Sequence, residues 1–449
     1  MKKDLSLILV GCICASLLTG CGDRGPIDTN TLVKPTPNIS IEQNIQASVS
    51  QDIQEENKED ESTNFITIKE VGFNSFESGL INYLNQEKSF ENYMMSPLSL
   101  KYALSLAIAG ADNETLTELL KANGYDSLDE LLEWTDSINS QVDIFDKDLQ
   151  REIDEFNKWM SEYSDTPPFR ALSVENSIWH NIDKNGTLNK DYINLVKEKF
   201  NAIAENVHGN ELQDSVNSWV NDKTEGMIPQ LLSSPVDDVN TILVNTLYLK
   251  DSWINSFEEY ATKEKEFTDI NGNITTKELM HQQESFRYYE DDNSKLVVLP
   301  MNGNINVAFV LGDNSNILDK INESKYENTI VEIPKFELES SFDQKEMVNY
   351  LKSIGVELAF DPIDKADFSK MMSDNYLYID DIIQKTKIKI DEKGLEAAAA
   401  TAILMKDNAI MINPVEPKEF IANKPFSFYI YSDIDSNNLE LLFYGQIVK

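Results

Sequence analysis

The order of the hydrophobic patterns constrains what this chain can fold into more than any other feature of the sequence. Helical patterns come first: Phe73, Phe76, Leu80 and Leu84 recur at helical spacing, and charged helical segments continue through 127–162. Runs rich in β-branched and aromatic residues come later, at 241–249, 297–299, 306–311, 330–333, 426–431 and 439–448. Because helices and strands do not alternate as βαβ units, the pattern predicts an α+β protein.

One early segment has the character of a buried helix. Ser96 suits the N-cap, where its hydroxyl accepts from the helix start, and Pro97 suits the first helical position, which needs no donor. From Leu98 to Ala109 only Lys101 is charged. A helix that is apolar nearly all round is a buried one, so we expect this segment inside the core.

The N-terminus has the pattern of a targeting signal. It starts with lysines at positions 2 and 3, and its apolar run, 5–18, is too short for a comfortable membrane span. Residues 18–21 read Leu-Thr-Gly-Cys and resemble a bacterial lipobox, in which the cysteine receives lipid; the alternative is an ordinary signal peptide with an incidental cysteine. We predict a lipoprotein signal peptide over 1–20, lipidation of Cys21, and anchoring at the extracytoplasmic face of a bacterial cell membrane.

The segment after the signal differs in composition from the rest of the chain. The three cysteines are Cys12, Cys14 and Cys21, so the mature chain would hold one lipidated cysteine and no disulfide. Residues 21–64 are rich in Pro, Asn, Ser, Gln and acidic residues and have no aromatic side chain, which predicts a disordered acidic tether. Patterned hydrophobicity then runs over 65–449, which we predict to be the folded domain.

The net charge is −38, from 77 acidic and 39 basic residues, and it argues against several classes of partner. Nucleic-acid binding needs clustered Lys and Arg, so we expect none, and no binding of a heparin-type polyanion. Anionic headgroups would repel the surface, so membrane contact is expected only through the lipid on Cys21. We expect a monomer that its acidic surface keeps in solution.

The sequence holds no motif for catalysis or cofactor binding. Its three histidines, His180, His208 and His281, are not in a zinc-helix motif. A nucleophile elbow, a Walker loop, a dinucleotide-binding glycine motif and paired cysteine ligands are all absent. We therefore expect no cofactor, no metal and no enzymatic activity.

A segment near the C-terminus is unusual. Residues 391–402 read Asp-Glu-Lys-Gly-Leu-Glu-Ala-Ala-Ala-Ala-Thr-Ala. By propensity this is a helix interrupted by a glycine, but it lies between a strand-like run at 385–390 and a polar stretch with Pro414 and Pro417. The segment resembles the hinge of the reactive-centre loop in the serpins, a family of serine protease inhibitors.

Six further motifs resemble serpin motifs in the family's order, so the resemblance covers about 65–449. They are Ser96-Pro97-Leu98-Ser99, Asn217-Ser218-Trp219-Val220 with Thr224, Gly226 and Ile228, 245–250 (NTLYLK) with Trp253 and Phe257, Ile333-Pro334-Lys335-Phe336, Phe420 with Asn423-Lys424-Pro425-Phe426, and Phe443-Tyr444-Gly445. Each motif is weak alone, whereas seven in order are strong.

The resemblance implies the serpin fold, with three β-sheets, about nine helices and an exposed loop. It also implies that a protease cleaves the loop and is held as an acyl-enzyme while the cleaved loop inserts as a new central strand of a sheet. The hinge residues that it assigns are Glu392, Gly394, Leu395, Glu396, Ala397, Ala398, Ala399, Ala400 and Thr401.

The hinge residues suit insertion into a sheet, where side chains alternate between two faces. If Leu395 faces inward, then Ala397, Ala399 and Thr401 share its face and no charge is buried. Gly394 suits the hinge position because glycine adopts backbone angles that other residues avoid.

Three positions depart from the family pattern. Leu395 stands where inhibitory members usually carry Thr, Ser or Val, so insertion is hindered at worst. Gln384 stands at a central sheet position usually occupied by His, and Asp251 replaces a usual Gly ahead of Trp253. The resemblance assigns a sheet-opening cluster to Ser96, Ser99, Asn245, Trp253 and Gln384.

The cleaved bond has several candidates. In the family the specificity residue lies fourteen residues after the hinge glycine, which nominates Asn408–Ala409 and suits a legumain-like or broad-specificity protease. The stretch from Gly394 to Pro425 is longer than in many relatives, so the bond can slide. The alternatives are Met405 or Met411 for an elastase- or subtilisin-like protease, Lys406 for a trypsin-like one and Asp407 for an acid-specific one.

Three functions follow from these patterns. The first is an inhibitor that forms a covalent complex with an extracellular serine or cysteine protease. The second is a non-inhibitory serpin that acts as a surface binding or structural protein. The small residues over 397–401 favour inhibition, because non-inhibitory members usually carry bulky or charged residues there. A solute-capturing lipoprotein, the third, would need a two-lobed βαβ pattern, which the sequence lacks.

Overall fold

The structure is a computed structural model that describes residues 69–161, 167–184, 186–233, 239–342, 345–363, 365–372, 377–395, 416–434 and 439–449. The predicted signal peptide and the tether lie outside the described residues, as does Cys21. So do the hinge residues from Glu396 to Thr401 and the candidate cleavage residues from Met405 to Met411.

The described residues contain eight α-helices, most of them in the first half of the chain. They are α1 (Ser75–Glu87), α2 (Pro97–Gly110), α3 (Asn113–Asn123), α4 (Leu128–Trp159), α5 (Lys190–Phe200), α6 (Leu212–Lys223), α7 (Ile317–Glu323) and α8 (Glu346–Ser353). Several begin at a side chain that accepts from the first turn, as Ser96 does from the Ser99 amide and Ser127 from the Glu130 amide.

Fifteen strands are described, most of them in the second half of the chain. They are β1 (Tyr93–Met95), β2 (Ala171–Asn181), β3 (Ile203–Val207), β4 (Thr241–Ser252), β5 (Lys263–Thr268), β6 (Ile274–Glu290), β7 (Ser294–Pro300), β8 (Ile305–Gly312), β9 (Lys325–Pro334), β10 (Phe336–Phe342), β11 (Asp381–Asp391), β12 (Gly394–Leu395), β13 (Lys418–Ile421), β14 (Phe426–Ser432) and β15 (Glu440–Ile447).

Pairing joins these strands into two sheets. A nine-stranded sheet has the order β1-β15-β14-β8-β7-β6-β9-β13 with β5 attached to β6, and a six-stranded sheet has the order β10-β11-β12-β4-β2-β3. Two sheets form instead of three because β6 spans 17 residues and pairs with β5 and β9 along its length and with β7 at its end. The arrangement confirms the α+β class.

Helix α2 lies in the core between the two sheets. Every residue of the helix except Lys101 is buried, as its apolar composition predicted. The helix contacts β15 of the nine-stranded sheet and β4 of the six-stranded sheet. Each fully buried Leu or Ile of α2 contributes about 1.5–3 kcal/mol through the removal of apolar surface from water. The N-terminal end of α2 is thereby fixed against the six-stranded sheet, where the candidate site lies.

Candidate functional site

The central pair of the six-stranded sheet is partly separated. Strands β11 and β4 run parallel and pair directly at one end, where Asp381–Ile383 meets Ile242–Val244. At the other end β12 lies between them and runs antiparallel to both. There Leu395 is opposite Ile390 and Asp251, and Gly394 is opposite Asp391 and Ser252. The first two residues of the predicted inserting segment are therefore already part of the sheet.

Between these two ends the central strands face each other without pairing. The segments concerned are the six residues 384–389 of β11 and the six residues 245–250 of β4, all of them described. Strand β11 stays paired with its outer neighbour β10 over this stretch, from Gln384 opposite Phe342 to Lys389 opposite Glu337. Strand β4 likewise keeps β2. We call the space between 384–389 and 245–250 the slot.

The backbone of β12 is adapted to its position between the two strands. Gly394 has φ +147°, and a Cβ there would lie 2.3 Å from the carbonyl oxygen of Asp251. Any side chain at this position would therefore collide with β4. Leu395 is 1% exposed and faces the core, so the inward orientation considered from the sequence is the one that the structure has.

The turn that precedes β12 is held by polar contacts. The carboxylate of Glu392 accepts from the Thr262 hydroxyl at 2.7 Å and forms an ion pair with Lys335 at 3.3 Å. Burial raises the pKa of this carboxyl, but these two partners outweigh burial, and the pKa lies below its ordinary value. Trp253 donates its backbone N–H to the carbonyl of Lys393 and its indole N–H to the carbonyl of Asp391, both at 3.0 Å.

Four residues of the predicted sheet-opening cluster meet at the far end of the slot. The Ser96 amide donates to the side-chain oxygen of Gln384, whose amide group donates back to the Ser96 carbonyl, both at 2.9 Å. The Ser99 hydroxyl donates to Asn245, which donates in turn to Asn176. The cluster connects the start of α2 with strands β11, β4 and β2. Asn176 was missed because a single Asn within a strand pattern gives no signal.

Trp253, grouped with this cluster from the sequence, lies elsewhere. It follows β4 and is eight residues from Asn245, a separation of about 26 Å in an extended strand. Its hydrogen bonds go to the turn before β12, as described above. The cluster and Trp253 therefore mark opposite ends of the slot, a distinction that sequence order alone could not make.

The outward face of the slot carries a row of paired lysines. Lys385, Lys387 and Lys389 alternate along β11, and their ammonium groups pair with Glu339, Glu337 and Asp391 at 2.8–3.0 Å. Lys250 lies across the slot on β4, over the ring of Phe169 at 4.6 Å. This row was not predicted, although every second residue of a strand shares a face.

Each of the three histidines contacts a polar or acidic side chain. His180 contacts the Thr241 hydroxyl at 3.1 Å, His208 contacts Asp183 at 2.8 Å and His281 contacts Glu332 at 3.0 Å. Among the residues that the structure describes, no group of His, Cys, Asp and Glu side chains is arranged to hold a metal ion. Over the same ranges, no helix is both long and apolar enough to cross a bilayer.

Comparison with known proteins assigns the family. The serpin (serine protease inhibitor) family model matches residues 72–449. A leukocyte elastase inhibitor of Xenopus tropicalis is 27% identical over 83% of this chain and 96% of its own. An uncharacterised serpin-like protein of Thermococcus kodakarensis is 28% identical over 80% of each chain.

Solved structures agree with this assignment. The native thermophilic serpin tengpin matches with a TM-score of 0.62 at 29% identity, over 80% of this chain and 89% of its own. Serpin48 of the insect Tenebrio molitor matches with a TM-score of 0.64 at 25% identity, over 83% and 95%. The chain belongs to the serpin family.

Proposed function

We propose that this serpin is a suicide-type inhibitor that traps extracellular serine or cysteine proteases by inserting its cleaved loop into the six-stranded sheet. The slot is the observation that carries the proposal. It lies directly ahead of β12, between two strands that are already separated, so insertion has no need to break β4–β11 pairing over 384–389 and 245–250.

The register of β12 defines where the next residues would go. Because Leu395 is opposite Ile390 and Asp251, a strand that continued antiparallel to both neighbours would fill the slot with residues 396–401. Ala397 would then meet Ile388 and Leu249 on the buried face. Small side chains there avoid the overpacking that costs about 1–3 kcal/mol in a filled core.

The same register would bring the polar hinge residues beside suitable partners. Glu396 would face outward between Lys250 and Lys389, so its carboxylate would lie beside Lys250 and the Lys389–Asp391 ion pair. Thr401 would face inward between Gln384 and Asn245, so its hydroxyl could join the hydrogen bonds of the cluster. In this register charge pairs with charge and the hydroxyl enters a polar cluster, which supports insertion over all six residues of the slot.

The trapping step that we propose is acyl transfer that stops at the acyl-enzyme. The nucleophilic oxygen or sulfur of the protease attacks the carbonyl carbon of the scissile bond and expels the following residue as a protonated amine. The N-terminal side of the loop, now an ester or thioester of the protease, is free to enter the slot. We assign the bond to Asn408–Ala409, with Met405, Lys406, Asp407 and Met411 as the alternatives.

Two variants test the proposal with a matched pair of charges. The wild type, incubated with a panel of serine and cysteine proteases, is expected to give a complex that survives denaturing gels. Ala399→Glu places a carboxylate on the buried face and should give cleavage without complex, because an unpaired buried charge costs several kcal/mol. In this register Ala400→Glu would face outward beside Lys385 and should still trap.

The outcomes separate the candidate functions. Cleavage of the wild type by every protease without complex, and without a gain in heat stability, would establish the non-inhibitory alternative, a surface binding or structural serpin. Equal trapping by both variants would contradict the register. Mass spectrometry of the released C-terminal fragment identifies the cleaved bond.

We also propose that the inhibitor is held at the bacterial cell surface by lipid on Cys21, at the end of the 21–64 tether. The lipobox-like residues 18–21 support this location. A Cys21→Ala variant should be released from cells into the medium, as followed by fractionation. A variant that stays bound to the cells would contradict the anchor.

A further inference from the structure

The hinge strand β12 is seated directly against a buried carboxyl group. Asp251 of β4 is 1% exposed and pairs across the strands with Leu395. Paired residues on neighbouring strands share a face and have Cβ atoms about 5 Å apart, so the Leu395 side chain covers the side of Asp251. Asp251 also stands where the serpin pattern usually has glycine, which has no group to cover.

The Asp251 carboxylate is tied to the turn between β7 and β8. One oxygen accepts from the Gly303 amide and the other from the Ser252 amide, both at 2.8 Å. Gly303 has no room for a side chain, because a Cβ there would lie 2.3 Å from the Phe145 ring and 2.9 Å from the Asp251 carboxylate. The carboxyl position is therefore fixed independently of the hinge strand.

Two charged side chains act on Asp251 from other elements. Arg170, just before β2, has a side chain that is 4% exposed, lies 5.1 Å from the Phe145 ring, and pairs with Glu152 of α4 at 2.6 Å. On the hinge side, Asp251 is opposite Leu395, whose other neighbour across the strands is Ile390. Lys250 precedes Asp251 but lies on the other face of β4. Arg170 and Glu152 therefore dominate the charge around it.

Burial outweighs the contacts that favour the charged form of Asp251. Burial raises its pKa to about 6, while the Gly303 and Ser252 amides and the Arg170 charge lower it and Glu152 raises it. Glu152, Arg170 and Gly303, which act on Asp251, also line a polar cavity of about 230 Å³. That space can hold ordered water.

We propose that Asp251 is a positioning residue that makes the seating of the hinge strand β12 depend on the protonation state of its carboxyl group. Leu395 removes water from Asp251 only when β12 is seated, so seating disfavours the charged form. By linkage, protonation favours the seated strand. Acid holds the hinge in the sheet and neutral pH loosens it. This regulation rests on the proposed function, because the segment concerned is the one that begins insertion.

Hydrogen exchange of Gly394 and Leu395 tests the proposal without a protease. The exchange rates are first corrected for the intrinsic rates of an unfolded peptide. Wild-type protection should then fall about tenfold or more between pH 5 and pH 8. The fall is tenfold for each unit by which the pKa of Asp251 differs between the seated and unseated states of β12. Asp251→Asn should keep strong protection at both pH values, because its side chain has no charge to desolvate.

Two further variants distinguish positioning from a purely structural role. Glu152→Gln removes a neighbouring negative charge, so the wild-type transition should move to lower pH. Asp380→Asn is the matched control: Asp380 is another largely buried carboxyl that accepts from backbone amides, Asn240 at 2.7 Å, but at the far end of β4. Its substitution should leave the pH profile of the hinge unchanged.

The result that would overturn the proposal is a flat wild-type profile, or the same transition in wild type and Asp251→Asn. If Asp251→Asn fails to fold, the wild-type and Glu152→Gln profiles decide alone. Trapping is measured separately on gels. A serpin that traps with a flat hinge profile contradicts only the role of Asp251, and a pH-dependent hinge without trapping contradicts only the inhibitor.

Discussion

The two ends of the β4–β11 pair are built differently. We call the end where Asp381–Ile383 pairs directly with Ile242–Val244 the lower end, and the end that holds β12 the upper end. At the lower end, the apolar side chains of Ile242, Val244 and Ile383 belong to a buried cluster. At the upper end β12 separates the strands, and the turn before it is held by polar contacts of Glu392 and Trp253. Apolar packing resists opening, whereas hydrogen bonds exchange with water at little net cost. The difference indicates that the upper end opens during insertion and that the lower end stays closed.

The largest expected effect comes from removing apolar volume at the lower end. Leu243 is fully buried, so Leu243→Ala should lower the free energy of unfolding by about 2–5 kcal/mol. The matched variant at the upper end, Leu395→Ala, should cost much less, because β12 can leave the sheet locally while the domain stays folded. Denaturant unfolding of both variants measures the difference, and equal losses would contradict the comparison.

Blocking the seat of β12 should affect the upper end alone. Gly394→Val introduces a Cβ that meets the Asp251 carbonyl, and the strain of about 1–3 kcal/mol should reduce hydrogen-exchange protection of 394–395 by about tenfold or more. Gly272→Val is the control, since it too puts a side chain on a backbone with positive φ, +84°, but its Cβ meets nothing within 4 Å. Unchanged protection in Gly394→Val would show that β12 is not held as described.

The cluster at the lower end of the slot should contribute through its hydrogen bonds. Gln384→Ala leaves the buried amide of Ser96 without its partner and removes one of the two hydrogen bonds to the Ser96 carbonyl, which also accepts from the Leu100 amide. The substitution should cost about 1–3 kcal/mol of unfolding free energy. Thr386→Val removes one bond, from Thr386 to the Met94 carbonyl, and should cost about 1 kcal/mol. A larger loss for Thr386→Val would mean that the cluster does not join α2 to the sheet.

The smallest expected effect concerns the turn before β12. Because the pKa of Glu392 is lowered, its charged carboxylate stabilises the turn at pH values above the ordinary pKa of a glutamate. This stabilisation is lost as the pH falls through the lowered pKa. With Asp251 loosening the hinge as pH rises through about 6, protection of β12 should peak between the two transitions. Glu392→Gln should remove the acid side of the peak and cost about 1 kcal/mol at pH 7. Hydrogen exchange from pH 3 to pH 8 measures both limbs; an unchanged acid limb would contradict the role of Glu392.

Local patterns predicted much of the fold. The α+β class, the buried helix α2 and the helical character of 127–162, which forms α4 over Leu128–Trp159, follow from spacing and capping residues. Strand β6 was not predicted, because only four of its seventeen residues are buried and its sequence does not alternate regularly. Pairing with β5 and β9, and not its own composition, makes it a strand.

The site was predictable to the extent that motifs identified it. The serpin-like motifs predicted that Ser96, Ser99, Asn245 and Gln384 belong to one cluster, and these four residues do meet. They could not show that β12 is already seated, because seating depends on the register between strands that are far apart in sequence. Nor could they show the surroundings of Asp251, whose partner Gly303 lies 52 residues away along the chain.

Trapping requires that the slot receives the cleaved loop as a strand. Hydrogen exchange of 384–389 and 245–250, compared between the intact protein and the protein cleaved within its loop, measures this insertion. The amides of both segments that point into the slot should become strongly protected after cleavage, while those of 381–383 and 242–244 should hardly change. Unchanged exchange in the slot after complete cleavage would rule out insertion.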